Sequence, residues 1–330
     1  MDFIKYRKFA DIENDSGVQK LAGDASDRKY YRIKDPAQNS YVLMVNSESF
    51  NKENFPYLIQ YKLFTELGLP VAQIKYIDEE KGWILLEDLG DVTLQSYLST
   101  CSADEMKELY KRAVDLLLTF HTIDETIYHA NQHAFILEFD TRKLFDELLF
   151  FYDNFINRLL NISLNRKDEA IIKNGFYEIA SYLAKRPKVM CHRDYHSRNI
   201  MVTKGQLHLI DFQDARRGPY TYDIISLVRD SYVDIGKLLR NDLLKYYLDS
   251  ASLHNDKEME KELLYMSLQR TIKALGTFAF QYCQKSKSLY LEFIPRTIAY
   301  IIEQLSAASE LGKFIHDFAE IIKTWKPMNR

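Results

Sequence analysis

The stretch from Val189 to Asp214 limits what this chain can be more than any other. Val189-Met-Cys-His-Arg-Asp194 runs into Tyr-His-Ser-Arg-Asn199, and two short apolar runs, Ile200–Val202 and Leu207–Ile210, flank Lys204-Gly205. Apolar runs of this length around a Lys-Gly pair predict a β-hairpin. The polar residues stand at the ends of the runs: Asp194 after Val189–Cys191, Asn199 before Ile200, and Asp211 after Ile210. A loop, a hairpin and a strand end can thus deliver two carboxylates and an amide to one place. Asp and Asn also favour turns for local reasons, so one of them alone carries little. Three in this order suit phosphoryl transfer from a nucleotide, which needs an acceptor hydroxyl held in line, a carboxylate to receive its proton, and hard oxygen ligands for magnesium. Asp194 suits the base; Asn199 and Asp211 suit the metal.

The order His-Arg-Asp, four residues, Asn, then an apolar strand closing in Asp-Phe resembles the catalytic-loop and metal-binding signature of protein kinases. It departs from them in useful ways. His196-Ser197-Arg198 lies where protein kinases carry a lysine two residues after the Asp, and Gln213 replaces the glycine after Asp-Phe. No Ala-Pro-Glu follows, and Asp223 is expected to open a helix running to Val233, capping its free N–H groups. No room is left for a long activation loop. The combination resembles the aminoglycoside phosphotransferase and choline kinase superfamily, small-molecule kinases that share the protein-kinase fold. That resemblance implies an α+β, protein-kinase-like, two-lobed chain. Residues 1–90 would form a small β-rich nucleotide-binding lobe with a hinge at about 86–90. Residues 91–330 would form a larger helical lobe with the catalytic loop and acceptor site.

A length of 330 residues agrees with about two domains. A hydrophobic content of 46% is enough for real cores, and a formal net charge of −3 offers no polyanion-binding surface, so no nucleic-acid partner is expected. The sparse cysteines, Cys101, Cys191 and Cys283, argue for reduced thiols. The first residues lack a signal-peptide core, and no apolar run reaches the ~18 residues of a membrane span. The expectation is a soluble, cytoplasmic protein with ATP at hand and no membrane partner. Its oligomeric state is not legible.

In the first lobe, Lys29–Ile33 and Ser40–Val45 read as strands, preceded by Gly23-Asp24-Ala25-Ser26-Asp27-Arg28. A strand–turn–strand with small residues can lay backbone N–H groups over phosphates. The segment Gly23, Asp24, Ala25, Ser26 and Arg28 is therefore expected on the phosphate side, although an ordinary hairpin turn would look similar. Phe55–Leu67 has helical spacing, Val71–Tyr76 reads as a strand, and Trp83–Glu87 is a buried strand running into Asp88-Leu89-Gly90. By resemblance to the superfamily's hinge, adenine would bond to backbone groups around Glu87 and Leu89. Kinase-like folds place a lysine on the strand read here as Tyr41–Val45; this chain has Met44. Phosphate charge must then be met by Arg28, Arg32 or Lys34, or by loop N–H groups with magnesium.

In the second lobe, Ser102-Ala-Asp-Glu105 is a capping-box pattern opening a helix to about His121. Thr141–Leu160, Asp168–Lys185, Asp242–Ala251, Lys257–Tyr282, Leu289–Leu305 and Ser309–Trp325 also read as helices. Arg270 and Lys273 are expected mostly on a solvated or interlobe face. For Arg216 or Arg217 the acceptor pocket and solvent are equal readings, and Arg229 and Asp230 are candidates for polar substrate contacts. The pairs His129/His133 and His192/His196 have a metal-ligand spacing, but no cysteine or carboxylate completes a zinc set.

Further segments narrow the resemblance: Leu85-Leu-Glu-Asp-Leu-Gly-Asp91, Ile210-Asp-Phe-Gln-Asp-Ala215, Tyr222-Asp-Ile-Ile-Ser-Leu-Val-Arg-Asp230 and Leu268-Gln-Arg270. With the motifs above, they resemble a bacterial branch of anomeric sugar kinases acting on N-acetylmuramate and N-acetylglucosamine. Met44 fits that branch. The resemblance implies transfer of the ATP γ-phosphoryl to a sugar's anomeric hydroxyl, with ATP and Mg2+ as cofactors and a role in cell-wall sugar recycling. Asp194 would be the base, and His196 or Arg198 would stabilise charge on the transferred group. The rivals are an aminoglycoside, choline or amino-alcohol kinase, a protein kinase, and a nucleotide-binding pseudokinase. Cationic acceptors want an acidic pocket or an aromatic cage, and the Arg-rich stretch 193–217 argues against that.

Overall fold

The computed structural model describes residues 17–21, 28–35, 37–122, 137–254 and 256–326. They divide into two compact units, one of residues 1–97 with 199–214 and the other of residues 98–198 with 215–330.

The first unit is built on a five-stranded antiparallel sheet. Its strands are β1 (Gln19–Leu21), β2 (Lys29–Lys34), β3 (Ser40–Val45), β4 (Ile74–Asp78) and β5 (Trp83–Glu87), in the order β1-β2-β3-β5-β4. Side chains alternate across a pleated strand, so Tyr31, Ile33, Leu43, Val45, Trp83 and Leu85 share one face and form a buried cluster. Met44 stands opposite Tyr30 and Ile84 and is fully buried. It is a core residue with no charge to offer a ligand. The helix Pro56–Glu66 follows, with proline in its first turn where a missing N–H costs nothing.

The hairpin Ile200–Thr203/Gln206–Leu209 also belongs to this unit, although it lies far along the chain. Lys204 and Gly205 turn it with φ of 50° and 75°, the doubly left-handed turn that matches strand twist. Backbone bonds explain its placement: Val202 N–H donates to the Val92 carbonyl at 2.8 Å and Leu209 N–H to the Pro70 carbonyl at 2.7 Å. The first unit is therefore wider than a lobe ending near residue 90.

The second unit is helical. Ala103–Phe120 opens with the expected capping box, Ser102 and Glu105 satisfying each other's backbone N–H groups. Thr141–Phe151 continues into wider, π-helical turns over Tyr152–Leu159. The helices Arg166–Ala184, Thr221–Val228, Lys237–Ser250, Ile294–Leu305 and Lys313–Lys323 complete the shell. Thr141–Phe151, Tyr152–Leu159, Arg166–Ala184, Thr221–Val228 and Ile294–Leu305 pack against Lys257–Lys285, a helix of 29 residues buried on most of its circumference. Gly276 lets that helix approach Thr141–Phe151, since a Cβ there would stand 2.6 Å from Phe151 Cα. Among the described residues no helix is long and apolar enough to cross a membrane.

Candidate active site

In the second unit the strand Lys188–Cys191 pairs antiparallel with Arg216–Pro219 and launches the loop His192–Arg198. Arg193 takes a left-handed φ of 82°, which costs a non-glycine residue about 1–2 kcal/mol. Asp223 offsets that strain from behind. Its Oδ2 accepts the His192 N–H at 2.5 Å and its Oδ1 the Arg193 N–H at 3.1 Å. This corrects the expected cap: the helix begins at Thr221, before Asp223, and the carboxylate turns to the loop instead. Burial pushes Asp223 up to about 7, against the pull of those N–H donors and the Arg270 charge.

The same helix stops at Val228 and not at Val233, because Arg229 leaves helical geometry and Asp230 braces the loop. Asp230 accepts from the Ser197 N–H at 2.9 Å and the Tyr232 N–H at 2.8 Å. Tyr195, fully buried, donates its hydroxyl to the Ala113 carbonyl at 2.8 Å. Two carboxylates and a phenol therefore fix the loop that presents Asp194.

Asp194 faces a cluster of cations. Lys273 Nζ donates to its Oδ1 at 2.9 Å, Arg270 Nη2 lies 3.7 Å from the same oxygen, and Arg193 Nε lies 4.0 Å from Oδ2. Burial by itself would raise the carboxyl, but the charges of Lys273, Arg193 and Arg270 outweigh it and hold Asp194 well below the usual carboxylate range. Asp194 is therefore ionised near neutrality. Arg270 is anchored in turn, Nε to Ser226 Oγ at 2.7 Å and Nη1 to the Tyr222 hydroxyl at 2.6 Å. Buried Glu147 accepts from Gln269 at 2.9 Å and balances part of the positive charge. A pocket opens here, lined by Asp194, His196, Asp230, Tyr232, Arg270 and Lys273 among others.

Arg270 and Lys273 thus correct the solvated alternative of that expectation: their side chains are only 9% and 13% exposed. The signal was available. Arg270, Lys273 and Thr277 make one polar stripe at helical spacing, with Leu268, Ile272 and Leu275 on other sides. In the structure this stripe meets Asp194, which accepts from Lys273.

His196 and Arg198 also stand on this loop. Burial, only partly opposed by the Asp194 charge, pulls His196 down to about 3. The imidazole is neutral at pH 7 and packs edge-on to Tyr232. It can exchange hydrogen bonds with an acceptor but brings no positive charge. Arg198 lays its guanidinium over Tyr232 at 4.2 Å and Phe293 at 5.2 Å, a packing role. Arg229 and Asp230 do line the pocket, but Arg229 also pairs with Glu303 at 3.3 Å. Arg216 lies buried against the Phe139 ring.

In the first unit, Asn199 and Asp211 come together at the base of the hairpin, where the Ile210 N–H donates to the Asn199 carbonyl at 3.1 Å. Asp211 has a left-handed φ of 63°, and its Oδ1 accepts from Gln213 Nε2 at 2.8 Å. Phe212 stacks on Tyr57 with ring centroids 5.0 Å apart and packs against Phe64. An amide and a carboxylate at the base of one hairpin are oxygen donors of the kind that fit magnesium, which is held by few protein oxygens and takes the rest from phosphates and water. Arg28 is hydrogen-bonded to the Tyr30 phenol, which burial raises and which also feels the Asp211 charge.

Arg32 is engaged by two carboxylates. Its Nε and Nη2 grip Asp88 at 2.7 and 3.0 Å, and Nη1 and Nη2 both reach Asp91 at 2.9 Å. Ser40 adds a hydroxyl to Asp88. Arg32 therefore clamps the segment after β5. Lys34 is exposed at the end of β2. At the expected hinge, the Glu87 N–H is spent on the Gln73 carbonyl at 2.8 Å, and the Leu89 carbonyl accepts from Thr203 at 2.6 Å. Gly23, Asp24, Ala25 and Ser26 lie outside the described residues, as do His129 and His133.

The small antiparallel sheet and the mostly helical remainder are those of the protein-kinase-like fold of small-molecule phosphotransferases. The chain belongs to the phosphotransferase enzyme family, whose sequence profile matches residues 17–259. It is 27% identical to the N-acetylmuramate/N-acetylglucosamine kinase of Neisseria meningitidis serogroup B, covering 94% of this chain and 92% of that one. It is 29% identical to the kinase of the same name from Pseudomonas putida, over 91% and 87% of the two chains. Among solved structures, ADP-bound aminoglycoside phosphotransferase APH(2'')-Ib superposes with a TM-score of 0.58 at 18% identity, over 92% and 94% of the chains. A choline/ethanolamine kinase family protein from Mesorhizobium loti gives 0.56 at 13% identity, over 93% and 92%.

Proposed function

We propose that this chain is an ATP-dependent kinase of the anomeric hydroxyl of N-acetylmuramate or N-acetylglucosamine, working in the cytoplasm to return cell-wall sugars to activated precursors. The observation that carries the reading is Asp194 in a pocket where Lys273 Nζ lies 2.9 Å and Arg270 Nη2 3.7 Å from its Oδ1. Cationic acceptors such as aminoglycosides or choline would meet Lys273, Arg270 and Arg229 there at a cost, whereas a sugar hydroxyl or a sugar acid would not.

Asp194 accepts a hydrogen bond from the acceptor hydroxyl, holds it in line and takes its proton as the new O–P bond forms. The bond from the γ-phosphorus to the β–γ bridging oxygen breaks, and ADP leaves with that electron pair. A carboxylate held at low pKa is a weak base, so its contribution is chiefly aim and electrostatics, as phosphoryl transfer requires. Asn199 and Asp211 would hold magnesium, which supplies charge neutralisation to the phosphates when bound. The Leu89 N–H and the Glu87 carbonyl are the groups we assign to the adenine edge. Gly23–Ser26 is the segment we assign to the phosphates. With Met44 buried and Arg32 committed elsewhere, Arg28 beside Tyr30 is the cation we assign to them.

An ADP-release assay over N-acetylated hexosamines, aminoglycosides, choline, ethanolamine and a peptide panel tests this reading. Turnover with an N-acetylated hexosamine is expected, giving a product whose phosphate is lost in mild acid, as anomeric phosphates are. Turnover confined to amines, or an acid-stable sugar phosphate, would overturn it.

A further inference from the structure

The loop of a protein kinase supplies a lysine two residues after its catalytic Asp; here that position is His196, which is neutral at pH 7. The reaction nevertheless brings an anionic phosphoryl group to a hydroxyl held by a carboxylate, and two negative groups do not approach without a cation between them. Lys273 meets the requirement from an element 79 residues further along the chain. Its Nζ is 2.9 Å from Asp194 Oδ1, and it lines the pocket. An ammonium has three N–H donors, and among the described residues the only hydrogen bond this one makes is to Asp194. Arg270, the nearest alternative, is committed to Ser226 and Tyr222 and lies farther from the carboxylate.

We propose that Lys273 is a second catalytic residue, orienting the Asp194 carboxylate with one N–H and donating another to the phosphoryl group as it arrives at the acceptor oxygen. This rests on the kinase reading above. Transfer would then need the charged ammonium. The groups facing it are Asp194, Arg193 and His196 on the loop, Arg270 on its own helix and Glu147 on Thr141–Phe151, with Arg229, Asp230 and Tyr232 lining the same pocket. Burial, helped by the Arg270 charge and opposed by Asp194 and Glu147, brings the Lys273 ammonium down to about 8. Activity should therefore fall as pH rises through that region.

The test compares wild type, Lys273→Met and Lys273→Arg in kcat, KM and pH profile, with thermal melting and nucleotide affinity as controls. Lys273→Met is expected to lower kcat by about 10²–10³, the loss typical of removing one donor to developing charge, with nucleotide affinity within a few-fold of wild type. Lys273→Arg keeps a charge that does not titrate, so its activity, although reduced, should lose the alkaline decline near pH 8. A Lys273→Met enzyme with kcat within a few-fold of wild type would overturn the proposal. So would a Lys273→Arg profile with the wild-type decline. If the preferred acceptor proves to be an amine, the sugar reading fails, and the same comparison on that acceptor still decides the role of Lys273.

Discussion

Asp223 holds His192 by its backbone, Oδ2 to N–H at 2.5 Å, from within a helix that starts 29 residues after that histidine. The opposite oxygen takes the next N–H, so the carboxylate fixes the peptide plane on which Asp194 depends. Asp223→Asn replaces one acceptor oxygen with an amide donor facing an N–H. It should destabilise the protein by about 1–3 kcal/mol, the cost of an unsatisfied buried group.

The pH dependence follows from the raised Asp223 carboxyl. A carboxyl whose folded pKa lies near 7, above its unfolded value of 3.8, binds its proton more tightly in the folded state. Its contribution is complete below pH 3.8 and is lost as pH rises to about 7. Thermal melts from pH 4 to 8 should show wild type declining relative to Asp223→Asn across that window, with a constant offset above it. Parallel curves would show that Asp223 stays ionised throughout.

Asp194→Asn retains shape but loses the charge to which the proposed mechanism assigns aiming the acceptor and receiving its proton. We expect kcat to fall by at least ~10³ with nucleotide affinity nearly unchanged, the pattern of an interaction used mainly in the transition state. Single-turnover kinetics together with a nucleotide-binding isotherm measure both. Near-normal turnover would remove Asp194 from the role of base.

Arg32 and Asp88 form a bidentate pair with side chains 14% and 9% exposed, whereas Asp91, at 74%, adds little. Arg32→Met should cost about 1.5–3 kcal/mol, the range for hydrogen bonds to charged groups, read from urea unfolding. Asp91→Ala should change stability by less than ~0.5 kcal/mol. With Arg32 engaged by Asp88 and Asp91, the folded Arg32→Met protein should bind ADP as wild type does. A tenfold or larger loss of ADP affinity would return Arg32 to the phosphate site.

Gly276→Ala tests helix packing in the second unit. Alanine normally stabilises a helix interior by about 1 kcal/mol relative to glycine. Here the added Cβ would lie 2.6 Å from Phe151 Cα and 3.0 Å from Phe151 N, backbone atoms that do not move easily. Overpacking should dominate, giving a net loss of about 1–3 kcal/mol in thermal or urea unfolding. Unchanged or higher stability would show that the two helices can separate at little cost.

The local arrangement was open to sequence reading because local physics sets it. The two strands of the Lys204-Gly205 hairpin, the capping box at Ser102–Glu105, and the meeting of Asn199 with Asp211 at the hairpin base all follow from side-chain period, turn chemistry and short separation. The ends of helices were less legible. Val228 is the end of its helix only because Asp230 is needed by a loop more than thirty residues earlier.

What tertiary structure alone decided is which charges meet. Nothing in the spacing of Arg32, Asp88 and Asp91 says that they neutralise one another, and nothing near Asp194 says that its ammonium comes from residue 273. Charged side chains look alike along a sequence. Their roles are set by desolvation and by the partner brought within a few ångströms, and both exist only once the chain has packed.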